Sequence, residues 1–228
     1  MPKFITVEEA VKLIPDGATV MFGGFMGCGN AHKFIDALSK SGVKDLTMIS
    51  NDASMPGGPM GEDYYGVAKL VHNKQIKKLI ATHVGLNPEV ATQSMVDGTL
   101  EVQLIPQGSL AEMIRAGGGL GGVLTPAGVG TIVEDSPYCL GKQTIDGRDY
   151  LLMKPIHADF AVICGAKIDK AGNVWYKGNT SNFNLVMATA ADTVIAEAEG
   201  IVEIGEIEPE NVRTYGVFVD YVVEGGKL

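Results

Sequence analysis

Positive charge is scarce in this chain: 18 Lys and Arg stand against 27 Asp and Glu in 228 residues, a formal net charge of -9. A surface that tracks a phosphate backbone needs clustered Lys and Arg, so the composition argues against a nucleic-acid partner. Cysteine is scarce too. Cys28, Cys139 and Cys164 are odd in number, far apart and without a C-x-x-C pair, which suggests neither a disulfide framework nor a zinc site. Long apolar runs are missing: no stretch reaches the roughly 20 residues that span a bilayer, and the opening "MPKFITVEEA" has no apolar signal core. The expectation is a cytoplasmic protein without membrane contact. His32, His72, His83 and His157 are isolated in sequence, with no metal-ligand or catalytic spacing, and no metal or resident cofactor is expected. Internal repeats, low-complexity tracts and linkers are also lacking, so residues 1–228 read as a single domain. What is plentiful is glycine, 30 residues or about 13%, against a usual share of roughly 7%.

Apolar strand-like runs alternate with amphipathic stretches. Thr6 to Glu9 has the form of a capping box, with Val7, Ala10, Val11 and Ile14 on one helix face before Asp16-Gly17 stops it. Strands are expected at 19–24, 46–50, 78–84, 100–105, 159–166, 173–178 and 193–198. Helices are expected after the first glycine loop, carrying Phe34, Ala37 and Leu38, and around 64–72, 88–96, 109 onward and 184–192. This alternation predicts an α/β fold, a three-layer open and mostly parallel sheet with helices on both faces. The last strands are expected to make the sheet mixed. Residues 138–156 read as a small hairpin insertion turning at Asp146-Gly147.

"FGGFMGCGN" (22–30) follows a short buried strand and precedes a helix, where α/β proteins bind ligands. Gly23, Gly24, Gly27 and Gly29 lack Cβ atoms, so peptide N–H groups could face a phosphate or an oxyanion at close range. The alternative is a tight turn chosen for packing. The loop is neither the dinucleotide fingerprint, since His32 stands where the last glycine would be, nor a P-loop, since no G-K-[ST] follows. Cys28 is either reactive beside a helix N-terminus or inert. In "PQGSLAE" (106–112) Ser109 to Glu112 reads as a second capping box, which leaves Glu112 structural and sets Gln107 and Gly108 at a helix start, where a neutral amide can donate to a carboxylate. Asn51 in "SNDAS" either donates to an oxyanion or closes an Asx-turn. The glycines from Gly117 to Gly130 read as a mobile cover or an irregular crossing, and His83 as a core residue.

Asp16-Gly17, Val20-Met21-Phe22 and Gly23-Gly24-Phe25 with Gly29 resemble the signature of family I coenzyme A transferases, in the alpha subunit of the acetate, acetoacetate or 3-oxoacid type. The similarity continues through Ile49-Ser50-Asn51, Pro106 to Glu112, Arg115 to Gly118, Leu124 to Pro126 and Asn182-Phe183-Asn184. The family's proline, which preorganises a helix's first turn, is replaced by Ala31, which is expected to loosen the loop entry without removing the phosphate-facing amides. The resemblance implies that Gly23, Gly24, Phe25, Met26, Gly27, Cys28 and Gly29 form a CoA-associated loop, and that Asn51, Gln107 and Gly108 lie near the acyl carboxylate and oxyanion. It implies CoA as substrate rather than cofactor, short-chain carboxylates as co-substrates, and no catalytic residue on this chain. The nucleophilic glutamate of a Ser-Glu-Asn-Gly-like motif would come from a beta subunit, in an alpha-two beta-two assembly. Pro209-Glu210-Asn211-Val212 lacks that glycine and reads as a turn. The competing readings are a sugar-phosphate isomerase and a non-catalytic CoA-binding protein.

Overall fold

The computed structural model describes residues 1–226. Eight strands make the central sheet: β1 (Lys3–Ile5), β2 (Thr19–Phe22), β3 (Leu46–Ser50), β4 (Ile76–Ala81), β5 (Glu101–Leu104), β6 (Ala158–Gly165), β7 (Ala191–Ala198) and β8 (Tyr221–Glu224). Their order is β1-β8-β7-β6-β2-β3-β4-β5, and every pairing is parallel.

Parallel strands bury both faces, and alternate residues here divide between two cores. Val20 and Phe22, Met48, Leu79, Val162 and Ile195 pack into one, against α1 (Val7–Val11), α2 (His32–Ser39) and α3 (Ala68–His72). Met21, Ile49, Ile80, Ile163 and Val194 enter the other, against α5 (Gln107–Gly117) and α6 (Asn182–Met187). The short α4 (Pro88–Ala91) adds Val90 to the first core. Fully buried side chains such as Phe34 and Leu38 of α2 each contribute about 1.5–3 kcal/mol. The chain steps outward from β2 to β5, then returns to lay β6 beside β2 and steps the other way to β7. The order therefore reverses between β2 and β6, and such a switch point opens a crevice at the carboxyl ends of the strands.

The expected three layers are present, but the central sheet is not mixed. The segment expected as a strand at 173–178 lies outside it: Val174–Trp175 pairs antiparallel with Lys167–Asp169, which pairs with Ile201–Val202 in a small separate sheet. The hairpin insertion is present as Cys139–Ile145 and Arg148–Met153, joined by Asp146 (φ 49°) and Gly147 (φ 75°), the left-handed pair of a type I′ turn. Val123–Thr125 adds a third strand to it. Residues 64–65 are strand rather than helix, pairing with Met55–Pro56. Helix 88–96 is α-helical only over α4 and continues as a π turn at Thr92–Val96, where the Thr92 carbonyl accepts from the N–H of Asp97. The helix expected at 184–192 is α6, which stops at Met187 because β7 already starts at Ala191. Strands β1 and β8, of three and four residues, are too short for periodicity to reveal.

Local capping shows what sequence can and cannot read. Thr6 Oγ1 accepts from the Glu9 N–H at 3.1 Å, and Glu9 Oε2 accepts from the Thr6 N–H at 2.8 Å, so the first capping box is real. The second is not. α5 begins two residues early, with Pro106 at its N-cap, so Ser109 already lies within the helix. Its hydroxyl is 3.1 Å from Thr125 Oγ1, while Glu112 pairs with Arg115 at the surface.

Candidate functional site

At the switch point β2 runs into the glycine loop. The Gly23 N–H continues the ladder to the Val162 carbonyl at 3.0 Å, and Phe25 and Cys28 exchange backbone bonds of 3.0 and 2.9 Å. Met26 (φ 50°) and Gly27 (φ 84°) form the left-handed centre of this turn, a conformation that costs a residue with a side chain about 1–2 kcal/mol. The Met26 N–H is held by Asp52 Oδ2 at 2.8 Å.

Asparagines hold the rest of the loop. Asn182 accepts from the Gly24 N–H at 3.1 Å and donates to the Cys28 carbonyl at 3.0 Å. Asn184 donates to the Gly29 carbonyl at 2.8 Å and accepts from the Cys164 N–H at 3.0 Å. Asn30 donates to the Gly23 carbonyl. His32 Nε2 lies 2.9 Å from the Gly27 carbonyl; a carbonyl can only accept, so this nitrogen carries the proton, and burial pushes the imidazole pKa below its ordinary value.

These contacts explain why glycine is required. A Cβ on Gly23 would sit 1.8 Å from Asn184 Oδ1, and one on Gly24, at φ 124°, would sit 2.0 Å from Asn30 Nδ2. Packing thus accounts for these two positions, and the amides of Gly23, Gly24, Phe25, Met26 and Cys28 are spent inside the protein. The Gly27 and Gly29 amides have no acceptor among the described residues. Gly27, the exposed Cys28 and Gly29 border a cleft of about 510 Å³ together with Lys33, Tyr65 and Lys69.

The start of α2 is held from across the sheet. Ala31 gives no side-chain cap, but the buried Glu197 of β7 accepts from the N–H groups of Lys33 and Phe34 at 3.2 and 2.7 Å. Desolvation raises the Glu197 pKa, opposed by those two N–H groups. The expected loosening at Ala31 is therefore compensated by a carboxylate distant in sequence.

The remaining site residues gather at the ends of β3, β4 and β5. Gln107 Nε2 donates to Asn51 Oδ1 at 2.6 Å, and Asn51 Nδ2 donates to Asp52 Oδ2 at 2.8 Å. Asn51 is 1% exposed, so it faces Gln107 rather than open solvent. Gln107 and Gly108 are exposed and contribute the first two N–H groups of α5, which lack intrahelical acceptors and favour negative charge. His83 corrects the core reading. It is half-buried at the same strand ends, paired with Asp52 by a β-bridge, and its ring centroid lies 6.5 Å from that of Phe25. Sequence reasoning passed over Asp52, Glu197, Asn30 and Thr82, whose hydroxyl lies beside His83 Nδ1; Asp52 could have been noticed as an acidic residue immediately after a strand-end asparagine.

Residues 4–225 match the coenzyme A transferase family. The chain belongs to that family. It is 46% identical over 223 residues to the acetoacetyl-CoA:acetate/butyrate CoA transferase alpha subunit of Clostridium acetobutylicum, covering 97% of each chain. It is 42% identical over 222 residues to the acetate CoA-transferase subunit alpha of Escherichia coli K12, covering 97% of this chain and 96% of that one. Among solved structures, the acyl-CoA transferase of E. coli O157:H7 in its thioester complex with CoA superposes with a TM-score of 0.83 at 23% identity. The alignment takes in 98% of this chain but 47% of that protein, so this transferase chain spans about half the length of that relative. Glutaconate coenzyme A-transferase of Acidaminococcus fermentans has a TM-score of 0.81 at 18% identity, with 98% and 76% covered. Family membership sets aside the isomerase and the non-catalytic readings. Among the described residues, no group of three or more His, Cys, Asp or Glu could hold a metal ion, and no helix is long and apolar enough to cross a membrane.

Proposed function

We propose that this chain is the alpha subunit of a short-chain acyl-CoA:carboxylate CoA-transferase of the acetate, acetoacetate or butyrate type, working as a cytoplasmic alpha-two beta-two assembly. Its beta subunit supplies the nucleophilic glutamate. That carboxylate attacks the acyl-CoA carbonyl and expels CoA thiolate, leaving an acyl-glutamyl anhydride. The thiolate then attacks the glutamyl carbonyl, releasing the first carboxylate and leaving a glutamyl-CoA thioester, from which a second carboxylate takes CoA by the reverse steps. Covalent catalysis suits the reaction because a free carboxylate is a weak nucleophile.

The observation that carries this reading is the hydrogen-bonded link from the glycine loop to Gln107, in which the connecting carboxylate, Asp52, is buried with both oxygens occupied by donors. The link thus offers donors and positioning, and its one carboxylate is not free to attack. In the proposal, the second N–H of the Gln107 amide and the N–H groups at the start of α5 face the carbonyl oxygen as it gains charge. Asn51 orients Gln107, and residues Gly23 to Gly29 flank CoA, with the Gly27 and Gly29 amides as the available donors. The relatives named as alpha subunits support a beta partner, and three unpaired cysteines accord with a reducing compartment.

The test is co-expression with the companion subunit, followed by acetate-dependent transfer from several acyl-CoAs. The isolated chain is expected to be inactive; transfer by the isolated chain would remove the shared site. In the assembled enzyme Gln107→Ala is expected to lower kcat about 100-fold, the scale of one oxyanion donor. Unchanged kinetics would take Gln107 out of the site.

A further inference from the structure

We propose that Asp52 is a positioning residue that sets the glycine loop and the Gln107 amide in register with each other; this rests on the site reading above. Asp52 is 5% exposed, and its carboxylate receives three donors. Oδ2 accepts from the Met26 N–H at 2.8 Å and from Asn51 Nδ2 at 2.8 Å, and Oδ1 accepts from the Ser54 N–H at 2.7 Å. Asn51 passes the constraint on, since its carbonyl oxygen receives Gln107 Nε2 at 2.6 Å. One hydrogen-bonded chain therefore runs from the loop tip through Asp52 and Asn51 to Gln107, joining elements 26, 51, 52 and 107 that the sequence keeps far apart.

Two of the three donors belong to strained backbone. Met26 (φ 50°) and Ser54 (φ 53°) are both left-handed residues with side chains, a conformation that persists only where the surroundings impose it. Each is fixed by one oxygen of the same carboxylate. Ser54 also begins the hairpin whose second strand carries Tyr65, and a Cβ on Gly27 would meet the Tyr65 ring at 1.9 Å. The clamp consequently reaches the loop from two directions, through the Met26 amide and through the hairpin that packs on Gly27. A carboxylate is suited to this place because it only accepts, so three converging donors are satisfied without a competing N–H. An asparagine would point its amide hydrogens at one of those donors.

Asp52 does not contact substrate in this role; it acts by fixing Asn51, which aims the Gln107 amide. Two consequences separate this from a merely structural role. Replacement should lower kcat and, by releasing the loop, raise KM for acyl-CoA, and its effect on kcat should disappear once Gln107 is gone.

The experiment is a double-mutant cycle in the assembled two-subunit enzyme with Asp52→Asn, Gln107→Ala and both together. Asp52→Asn is expected to reduce kcat about 10- to 100-fold, the scale of a lost charge-assisted hydrogen bond, and less than about 2-fold in the Gln107→Ala background. Multiplying effects, with Gln107→Ala itself damaging, would overturn the role of Asp52 and leave the site reading intact. A harmless Gln107→Ala would overturn the site reading and this role with it. If Asp52→Asn does not assemble, Asn51→Ser breaks the same chain one link away while keeping the carboxylate. Its kcat loss should likewise vanish with Gln107→Ala, and multiplying effects there would overturn the proposal.

Discussion

Residues 22–30 and 117–130 are both dense in glycine, yet the second leaves open space at several glycines where the first leaves none at its buried ones. In the first, Gly23, Gly24 and Gly27 are buried, and the side chains of Asn184, Asn30 and Tyr65 fill the space beside them. In the second, Gly117 and Gly118 pack on the carbonyls of Ile156 and Thr189, and Gly122 and Gly128 meet Met153 and Val133, but Gly119, Gly121 and Gly130 have nothing within 4 Å of a Cβ, and Leu120 is 64% exposed. His157 Nδ1 lies 3.0 Å from the Gly117 carbonyl and anchors the start of this stretch. The lesson is that glycine spacing marks a place where side chains are missing without saying whether anything else occupies the space.

Replacing Gly24 by Val breaks the contrast most severely. It sets a β-branched residue at φ 124° and against Asn30. Denaturant unfolding should show a loss of about 4 kcal/mol, and the assembled enzyme should lose CoA turnover. An intact fold with normal CoA kinetics would show that the first loop tolerates occupancy as the second does.

A purer test of space compares Gly23→Ala with Gly121→Ala, since neither residue is left-handed. The first drives a methyl group into Asn184 Oδ1, which accepts from the Cys164 N–H, and should cost about 3 kcal/mol. The second meets open solvent and should stay within about 0.5 kcal/mol. Equal unfolding free energies would erase the distinction drawn between the loops.

The smallest effect concerns the anchor of the second stretch. His157 Nε2 also bonds Asp192 Oδ1 at 3.0 Å, and that carboxylate, together with the Gly117 carbonyl, raises the imidazole pKa against the opposing effect of burial. A raised folded pKa means that the charge-linked stability is fully present below about pH 6.5, the ordinary histidine value. It is lost as pH climbs through the folded value. Because the pair is exposed, the contribution should be well under about 1 kcal/mol. Unfolding of the native chain and of His157→Gln should therefore differ more at about pH 6 than at about pH 9; a difference independent of pH would exclude the charge.

Legibility in the sequence followed the range of the forces involved. The Thr6 capping box and the Asp146-Gly147 turn were readable because each is closed by neighbours three residues apart or fewer. The misreading at Ser109 has the same cause inverted: the motif is local, but the helix start was fixed by Pro106 and by packing against Thr125. His83 reads as a core residue because it is a lone histidine within the apolar run 78–84, whereas the strand stops at Ala81 and the approach of Phe25 and Asp52, which brings His83 to the candidate site, depends on strand order. The strand-end positions of Gln107 and Asn51, and the helix-start position of Gly108, are legible in the sequence. Asp52 was missed because its significance lies in donors at positions 26, 51 and 54 that only the folded chain brings together.

By itself the sequence determined an α/β chain with a glycine loop after its first buried strand, because alternation of apolar residues and the chirality of turns act over a few positions. Only the tertiary structure decided which amides in that loop remain available and which residues hold it. Hydrogen bonds between groups 26 to 164 residues apart exist only once parallel strands from both halves of the sheet lie side by side.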